Sequence, residues 1–220
     1  MNSRGVIYIA YGEQARIQVR LAAKTLTDHN PGLPVRVISD APFPRIGRNS
    51  QLQYIHHEDT DIGARYVKLN IDKLTPFDHT LYIDADTRVR GDITAPFELL
   101  EAGWELAMCE CTRQGSEAHG HVNEVERNAT FAEVGMHAQA MQAGVMYFRK
   151  STAMHKLFSA WRAEWKRWED QDQAALVRAL ARVPVKLRTL HRDYNNPNGR
   201  LIAHYCGFAR RDGLPNARPV

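Results

Sequence analysis

Apolar and polar positions along the chain change their period block by block, and each block predicts an element. Residues 6–11 are an unbroken apolar run closed by Gly12, the pattern of a strand buried on both faces. Behind it Ala15, Val19, Ala22 and Leu26 share one stripe while Arg16, Arg20, Lys24 and Thr27 take the other side, which predicts an amphipathic helix. Asn30-Pro31-Gly32 stops that helix, and residues 35–38 supply a second short strand ending at Ser39-Asp40. Strand, helix and strand in succession form a βαβ unit, whose strands pair in parallel through a right-handed crossover. The chain therefore opens as an α/β fold.

Residues 41–50, rich in Pro, Gly and Arg, read as loop, and 51–55 as a further strand. Val67, Ile71 and Leu74 give residues 64–74 helical spacing until Pro76-Phe77-Asp78 breaks it; residues 80–83 then form a short buried strand running directly into Asp84-Ala85-Asp86. Residues 104–108 predict another strand. Residues 110–137 are polar, contain glycine and show no period, so they read as a long functional or mobile loop. Residues 143–148 are strand-like, and Ser151 is placed to cap the helix behind them. In that helix Leu157, Trp161, Trp165 and Trp168 recur at helical spacing; such a stripe packs a core, with stacking on a sugar as the alternative. A helix over 172–182, a strand over 185–187 and a last strand over 201–203 leading into His204 complete the pattern. Without repeat, low-complexity tract or linker, the sequence reads as one domain spanning residues 1–220.

Composition narrows the class. With 220 residues, 44% of them hydrophobic and 25% charged, the chain buries one substantial core and has no disordered signature. No apolar stretch is long enough to cross a bilayer. Residues 6–10, preceded by Arg4, are too short for a signal-peptide core, so a cytoplasmic location is expected. Cys109, Cys111 and Cys206 are an odd set that makes no disulfide framework, which suits free thiols in a reducing compartment. The net charge is +4, but residues 178–220 hold nine Lys/Arg against two Asp/Glu. This asymmetry fits a diphosphate, a nucleic acid or peripheral contact with an acidic membrane surface, and equally a solvated basic face.

Two carboxylates at i and i+2 just past a strand end can turn toward one divalent ion. Asp84 and Asp86 have that spacing, as do Asp59/Asp61 and Asp170/Asp172. Only the first pair is delivered by a buried strand to the carboxyl edge of an α/β sheet, where ligands bind in such folds; turn formation by aspartate is the competing reading. Cys109 and Cys111, with His119 and His121, raise the question of zinc, but a one-residue gap departs from the usual two-to-four-residue cysteine spacing, and a polar active-site loop is the preferred reading.

The segment Leu81-Tyr82-Ile83-Asp84-Ala85-Asp86-Thr87 resembles the Asp-x-Asp strand of GT-A glycosyltransferases, above all glycosyltransferase family 8, which contains bacterial galactosyltransferases and glycogenin. Three more segments are similar in order and spacing. Gln142-Ala143-Gly144-Val145 resembles that family's Asn-(Ser/Ala)-Gly-Val, Asp172-Gln173-Ala174-Ala175-Leu176 its Asp-Gln-x-Ala-Leu, and His204-Tyr205-Cys206-Gly207 its His-(Phe/Tyr)-x-Gly.

The resemblance implies a GT-A domain with a mixed central sheet flanked by helices. It implies a retaining enzyme that moves a hexose from a nucleotide-diphosphate sugar, a UDP-sugar, to an acceptor hydroxyl that the sequence does not identify. Asp84, Asp86 and His204 then hold Mn2+ (or Mg2+), a mixed carboxylate and imidazole site that suits the ion. Lys68 and Arg210 match basic residues that hold the diphosphate, as cations favour an anionic leaving group. Ala10, Tyr11 and Gly12 stand where relatives cradle uracil and ribose, although the family often has Asp where this chain has Gly12-Glu13; Tyr11 either stacks on the base or packs on the core, and Asp40 is a lesser candidate. Ala85, Ala143 and Gly207 belong to the same sugar-nucleotide segments. Gln142, Asp172 and Gln173 occupy the positions nearest the reacting carbon, with Gln142 replacing the family's usual Asn and helix capping an added role for Asp172 and Gln173. Two other functions share these features, a catalytically silent nucleotide-sugar or nucleic-acid binding module of the same fold and a nucleotidyltransferase; the latter class generally carries a Gly-rich basic signature that residues 11–16 lack.

Overall fold

A computed structural model describes residues 3–46, 50–55, 60–114 and 117–206. The expected βαβ opening is present as β1 (Arg4–Ala10), α1 (Glu13–His29) and β2 (Val35–Ser39), with β1 and β2 parallel. Then follow β3 (Ser50–Tyr54), α2 (Thr60–Leu69), α3 (Ile71–Leu74), β4 (His79–Ile83), β5 (Thr87–Val89), α4 (Ala95–Glu101) and β6 (Leu106–Glu110). The remainder is α5 (Glu124–Val134), β7 (Met141–Arg149), α6 (Thr152–Lys166), α7 (Asp172–Arg182), β8 (Leu187–Thr189), a 3₁₀ turn at Arg192–Tyr194 and β9 (Ile202–His204).

Among the described residues a seven-stranded sheet runs in the order β3-β2-β1-β4-β7-β6-β8, and β5 pairs with β9 in a small second sheet. β7 lies antiparallel to both β4 and β6, whereas the pairs on either side of them are parallel, so the sheet is mixed. One core packs α1 and α4 on one face; the other packs residues of α2, α6 and α7 on the opposite face. Covered on both sides, β4 is buried at every position, which explains why Leu81, Tyr82 and Ile83 are apolar without alternation. Because β1 and β4 are parallel neighbours, their carboxyl ends open on the same edge, and the segments after each strand meet there.

The structure departs from the sequence expectations in several places. The helix expected over 64–74 is two, broken at Asn70, whose side-chain amide donates to the Tyr66 carbonyl at 2.8 Å. The strand β5 and the seven-residue α4 have no counterpart in the sequence pattern, since neither is long enough to show a period. Most of all, the expected loop over 110–137 contains α5, with Asn123 accepting from the Glu126 amide as its N-cap. The inward residues of α5 include Glu126 and Thr130, both buried, so apolar spacing could not reveal it. Both meet Arg178 of α7, itself fully buried: the guanidinium lies 2.8 Å from Glu126 and 2.9 Å from Glu164 of α6, and also donates to Thr130. Burial pushes the Glu126 carboxyl up against the pull of Arg178.

The tryptophan stripe is core at Leu157, Trp161 and Trp165, while Trp168 lies beyond the end of α6 and is half-buried. The Trp161 indole donates to the Asp172 carbonyl at 2.7 Å and that of Trp165 to the Asp170 carbonyl at 3.1 Å. The stripe thus fixes the start of α7 as well as filling the core.

The Arg178→Met variant would strand the buried carboxylate of Glu126, while Glu164 keeps Arg167 and Arg182. It is expected to cost about 3–5 kcal/mol of stability, read from urea unfolding, with part of the loss recovered by adding Glu126→Leu.

Candidate functional site

The carboxyl end of β4 turns sharply. The Asp84 amide donates to the Gly144 carbonyl of β7 at 2.8 Å, and the Thr87 hydroxyl donates back to the Asp84 carbonyl at 2.7 Å. β5 then pairs with β9, Thr87 opposite His204, and the Tyr205 amide donates to the Asp86 carbonyl at 3.1 Å. This brings together residues more than a hundred positions apart. His204 Nε2 stands 3.3 Å from Asp86 Oδ1 and 3.6 Å from Asp84 Oδ2, and one ligand atom from each of the three residues lies within 4.8 Å of the others. A Cβ on Gly144 would come within 2.8 Å of both Asp84 Oδ2 and His204 Nδ1. Glycine at this position is therefore what lets the carboxylate and the imidazole close over the strand.

The donor set fits a divalent cation: two carboxylates and an imidazole form a mixed oxygen and nitrogen site on ordered strand ends. Among the described residues it is the one such group of three or more. The rival pair Asp170 and Asp172 does not form one. Asp170 accepts from the backbone and side chain of Asn123, and the pair at 59 and 61 lies outside the described side chains. Nor do the cysteines and histidines gather for zinc. Cys109 is buried with its thiol donating to the His191 carbonyl, Cys111 accepts from Gln173 Nε2 at 2.8 Å, and the His119 ring packs on Phe131.

Lys68 of α2 joins the cluster from the other side, 2.7 Å from Asp172 Oδ2 and 3.9 Å from Asp84 Oδ1, with its ammonium over the Tyr82 ring. The Tyr82 hydroxyl donates to Asp84 Oδ1. Asp84 is thus divided, with Oδ1 toward Tyr82 and Lys68 and Oδ2 toward His204. Burial lifts the Asp84 carboxyl above its ordinary range, and Lys68 and His204 offset this only in part. For Asp172 burial pushes the same way but Lys68 prevails, holding the carboxyl low. Burial pulls Lys68 down, yet Asp172 and Asp84 together keep it raised.

The residues assigned to the sugar border this cluster. Gln173 follows Asp172 in the first turn of α7, its amide held by Cys111; Gln142 and Ala143 precede Gly144 on β7, and the Gln142 amide donates to Cys206 Sγ at 3.3 Å. Ala85 sits between the two aspartates, half-buried. At the end of β1, Ala10 and Tyr11 are buried; the Tyr11 hydroxyl donates to the Ile55 carbonyl, and the Gly12 amide donates to Asp40 at 2.9 Å. The Tyr11 side chain is packed on the core, and Asp40, paired also with Arg16 at 2.7 Å, organises this turn. Gly207 and Arg210 lie outside the described residues. Sequence reasoning missed Tyr82, Cys111 and Asn195. Period-two alternation puts Tyr82 on the face of Asp84 and was a usable signal; for Cys111 and Asn195 the sequence held none.

No protein-family model matches the sequence, and neither does any curated protein; the likeness is in three dimensions. Galactosyltransferase LgtC, solved in complex with donor and acceptor sugar analogues, aligns with a TM-score of 0.63 at 17% identity, over 94% of this chain and 90% of that one. The glycosyltransferase GlyE of Streptococcus pneumoniae TIGR4 aligns at 0.62 and 18% identity, over all of this chain and 58% of its own. The chain has the GT-A glycosyltransferase fold. The apo form of mouse xyloside xylosyltransferase 1 extends the likeness, at 0.58 and 9% identity over 86% of each chain. In this GT-A chain no described helix is long and apolar enough to cross a membrane.

Two outcomes follow from the geometry. Gly144→Ala is expected to lower stability by about 1–3 kcal/mol, read from thermal unfolding. Burial pushes the Cys109 and Cys111 thiols up to about 12, so only about one in ten thousand is thiolate at pH 8. Iodoacetamide followed by peptide mass spectrometry is expected to label the exposed Cys206 and spare both.

Proposed function

We propose that the protein is a metal-dependent, retaining glycosyltransferase, a single GT-A domain over residues 1–220, that moves a hexose from a UDP-sugar to an acceptor hydroxyl. The observation that carries this reading is the meeting of Asp84, Asp86 and His204 at the carboxyl edge of the sheet, with Lys68 against them. Asp84, Asp86 and His204 would hold Mn2+ or Mg2+, which when bound neutralises charge on a departing nucleoside diphosphate.

The chain's own residues supply the rest. Lys68, fixed between Asp84 and Asp172, places a positive charge beside the diphosphate, and because it is preorganised it need not reorient as the leaving group becomes more anionic. Ala10, Tyr11 and Gly12 offer the end of β1 to the base and ribose. Gln173, its amide nitrogen engaged by Cys111, presents its carbonyl oxygen to the sugar, where it would steady oxocarbenium-like charge; Asp172 and Gln142 flank it and orient the sugar hydroxyls. The segments that bind the acceptor differ most among proteins of one architecture, so the acceptor's identity rests on assay. The free thiols suit a reducing compartment, and the cytoplasm is the location proposed.

A panel of UDP-sugars, followed by release of UDP with Mn2+ and with EDTA, tests the reading. Metal-dependent hydrolysis of one donor is expected, with Asp84→Asn and Asp86→Asn each lowering kcat/KM by at least about a hundredfold, the scale of losing a preorganised charge contact. No turnover of any donor, or equal turnover in EDTA, would sink it.

A further inference from the structure

His204 uses only one ring nitrogen toward the carboxylates, and the other has a partner that the sequence did not suggest. His204 Nδ1 lies 2.6 Å from Asn195 Oδ1, and Asn195 Nδ2 lies 3.2 Å from the backbone carbonyl of Gln142. Asn195 is buried, only 3% exposed. A carbonyl oxygen can only accept, so the amide nitrogen of Asn195 must face Gln142 and its oxygen must face His204. That oxygen also only accepts. Nδ1 must therefore carry a hydrogen, and Nε2, the atom facing Asp84 and Asp86, is the one left for a cation. Turning the amide over would set oxygen against oxygen at Gln142, so the surrounding atoms select one orientation.

We propose that Asn195 is a positioning residue that fixes the tautomer and ring plane of His204 for metal binding, its own orientation being set by the Gln142 carbonyl of β7. The inference rests on the metal reading above. The loop that carries Asn195 is held for this purpose by backbone bonds. The Asn195 amide donates to the Arg192 carbonyl at 3.1 Å, the Leu201 amide to Asp193 at 3.1 Å and the His204 amide to Asn196 at 3.0 Å. Gly199 lies so close to Asp193 and Ile202 that a Cβ would collide with their carbonyls. The 3₁₀ turn and β9 are thereby one tied unit, and a histidine nine residues downstream meets its orienting amide with little freedom lost on binding.

The test titrates Mn2+ alone, without nucleotide, and follows the free-ion signal by electron paramagnetic resonance. Relative to wild type, Asn195→Ala and Asn195→Leu are expected to bind Mn2+ about 10–100-fold more weakly, the usual effect of removing the partner of a ligating histidine. Asn195→Asp keeps an acceptor for Nδ1 but sets a carboxylate oxygen against the Gln142 carbonyl, so it is expected to recover part of the loss, binding between wild type and Asn195→Ala. Equal binding by Asn195→Ala, or a loss in Asn195→Asp as large as in Asn195→Ala, would overturn the inference while leaving the metal reading intact. A wild-type protein that binds no Mn2+ would overturn both. Should the Ala and Leu variants not fold, ¹⁵N correlation spectra of the histidine ring in Mg2+-loaded wild type decide the matter. A hydrogen on His204 Nδ1 supports the inference, and one on Nε2 ends it.

Discussion

Three carboxylates, Asp84, Asp86 and Asp172, are gathered at one edge of the sheet, and the cost of taking them out of water governs how the rest of the chain is arranged. Like charges drawn from water repel one another and lose hydration, so the cluster persists only if polar or charged partners are delivered to it. Lys68 comes from α2 and His204 from β9, each held within hydrogen-bonding or ion-pairing reach. The antiparallel pairing of β5 with β9 exists to make the second delivery, since it sets Thr87 opposite His204. A cation held among these groups would relieve the repulsion that the fold otherwise sustains, which is the physical link between this architecture and the metal-dependent chemistry proposed for it.

β7 is the spine on which the site is mounted. Gly144 accepts from the Asp84 amide and leaves room for His204, Gln142 sets the Asn195 amide through its carbonyl, and Ala143 lies between them. One strand therefore touches the proposed metal ligands, the residue proposed to orient His204 and the proposed sugar pocket. Its antiparallel insertion between β4 and β6 is what brings its amino-terminal half to the same edge as the carboxyl end of β4.

Among the helices on the face that carries α2, α6 and α7, a second polar cluster has a structural role. Arg178 binds Glu126, Glu164 and Thr130 and so locks α5, α6 and α7 into a single block. The first turn of α7 carries Asp172 and Gln173, and the indoles of Trp161 and Trp165 hold its approach. The site's precision on that side derives from the packing of the helices that carry Asp172 and Gln173, as a preorganised site requires.

The sequence by itself determined the α/β opening, the burial of β4, the helix at 172–182, and the spacing of Asp84 and Asp86 at a strand end. Apolar runs and helical stripes record which faces leave water, and that information is local. It could not disclose α5, whose inward face is Glu126 and Thr130, nor the break at Asn70, nor strands and helices too short to show a period. Motif resemblance placed His204 with the aspartates, yet the residue that orients it, Asn195, and the thiol against Gln173 carried no signal at all. Which nitrogen of that histidine is turned toward the aspartates was decided only by the tertiary structure. Hydrogen bonds between side chains far apart in sequence are made by the folded chain, and no period along the sequence encodes them.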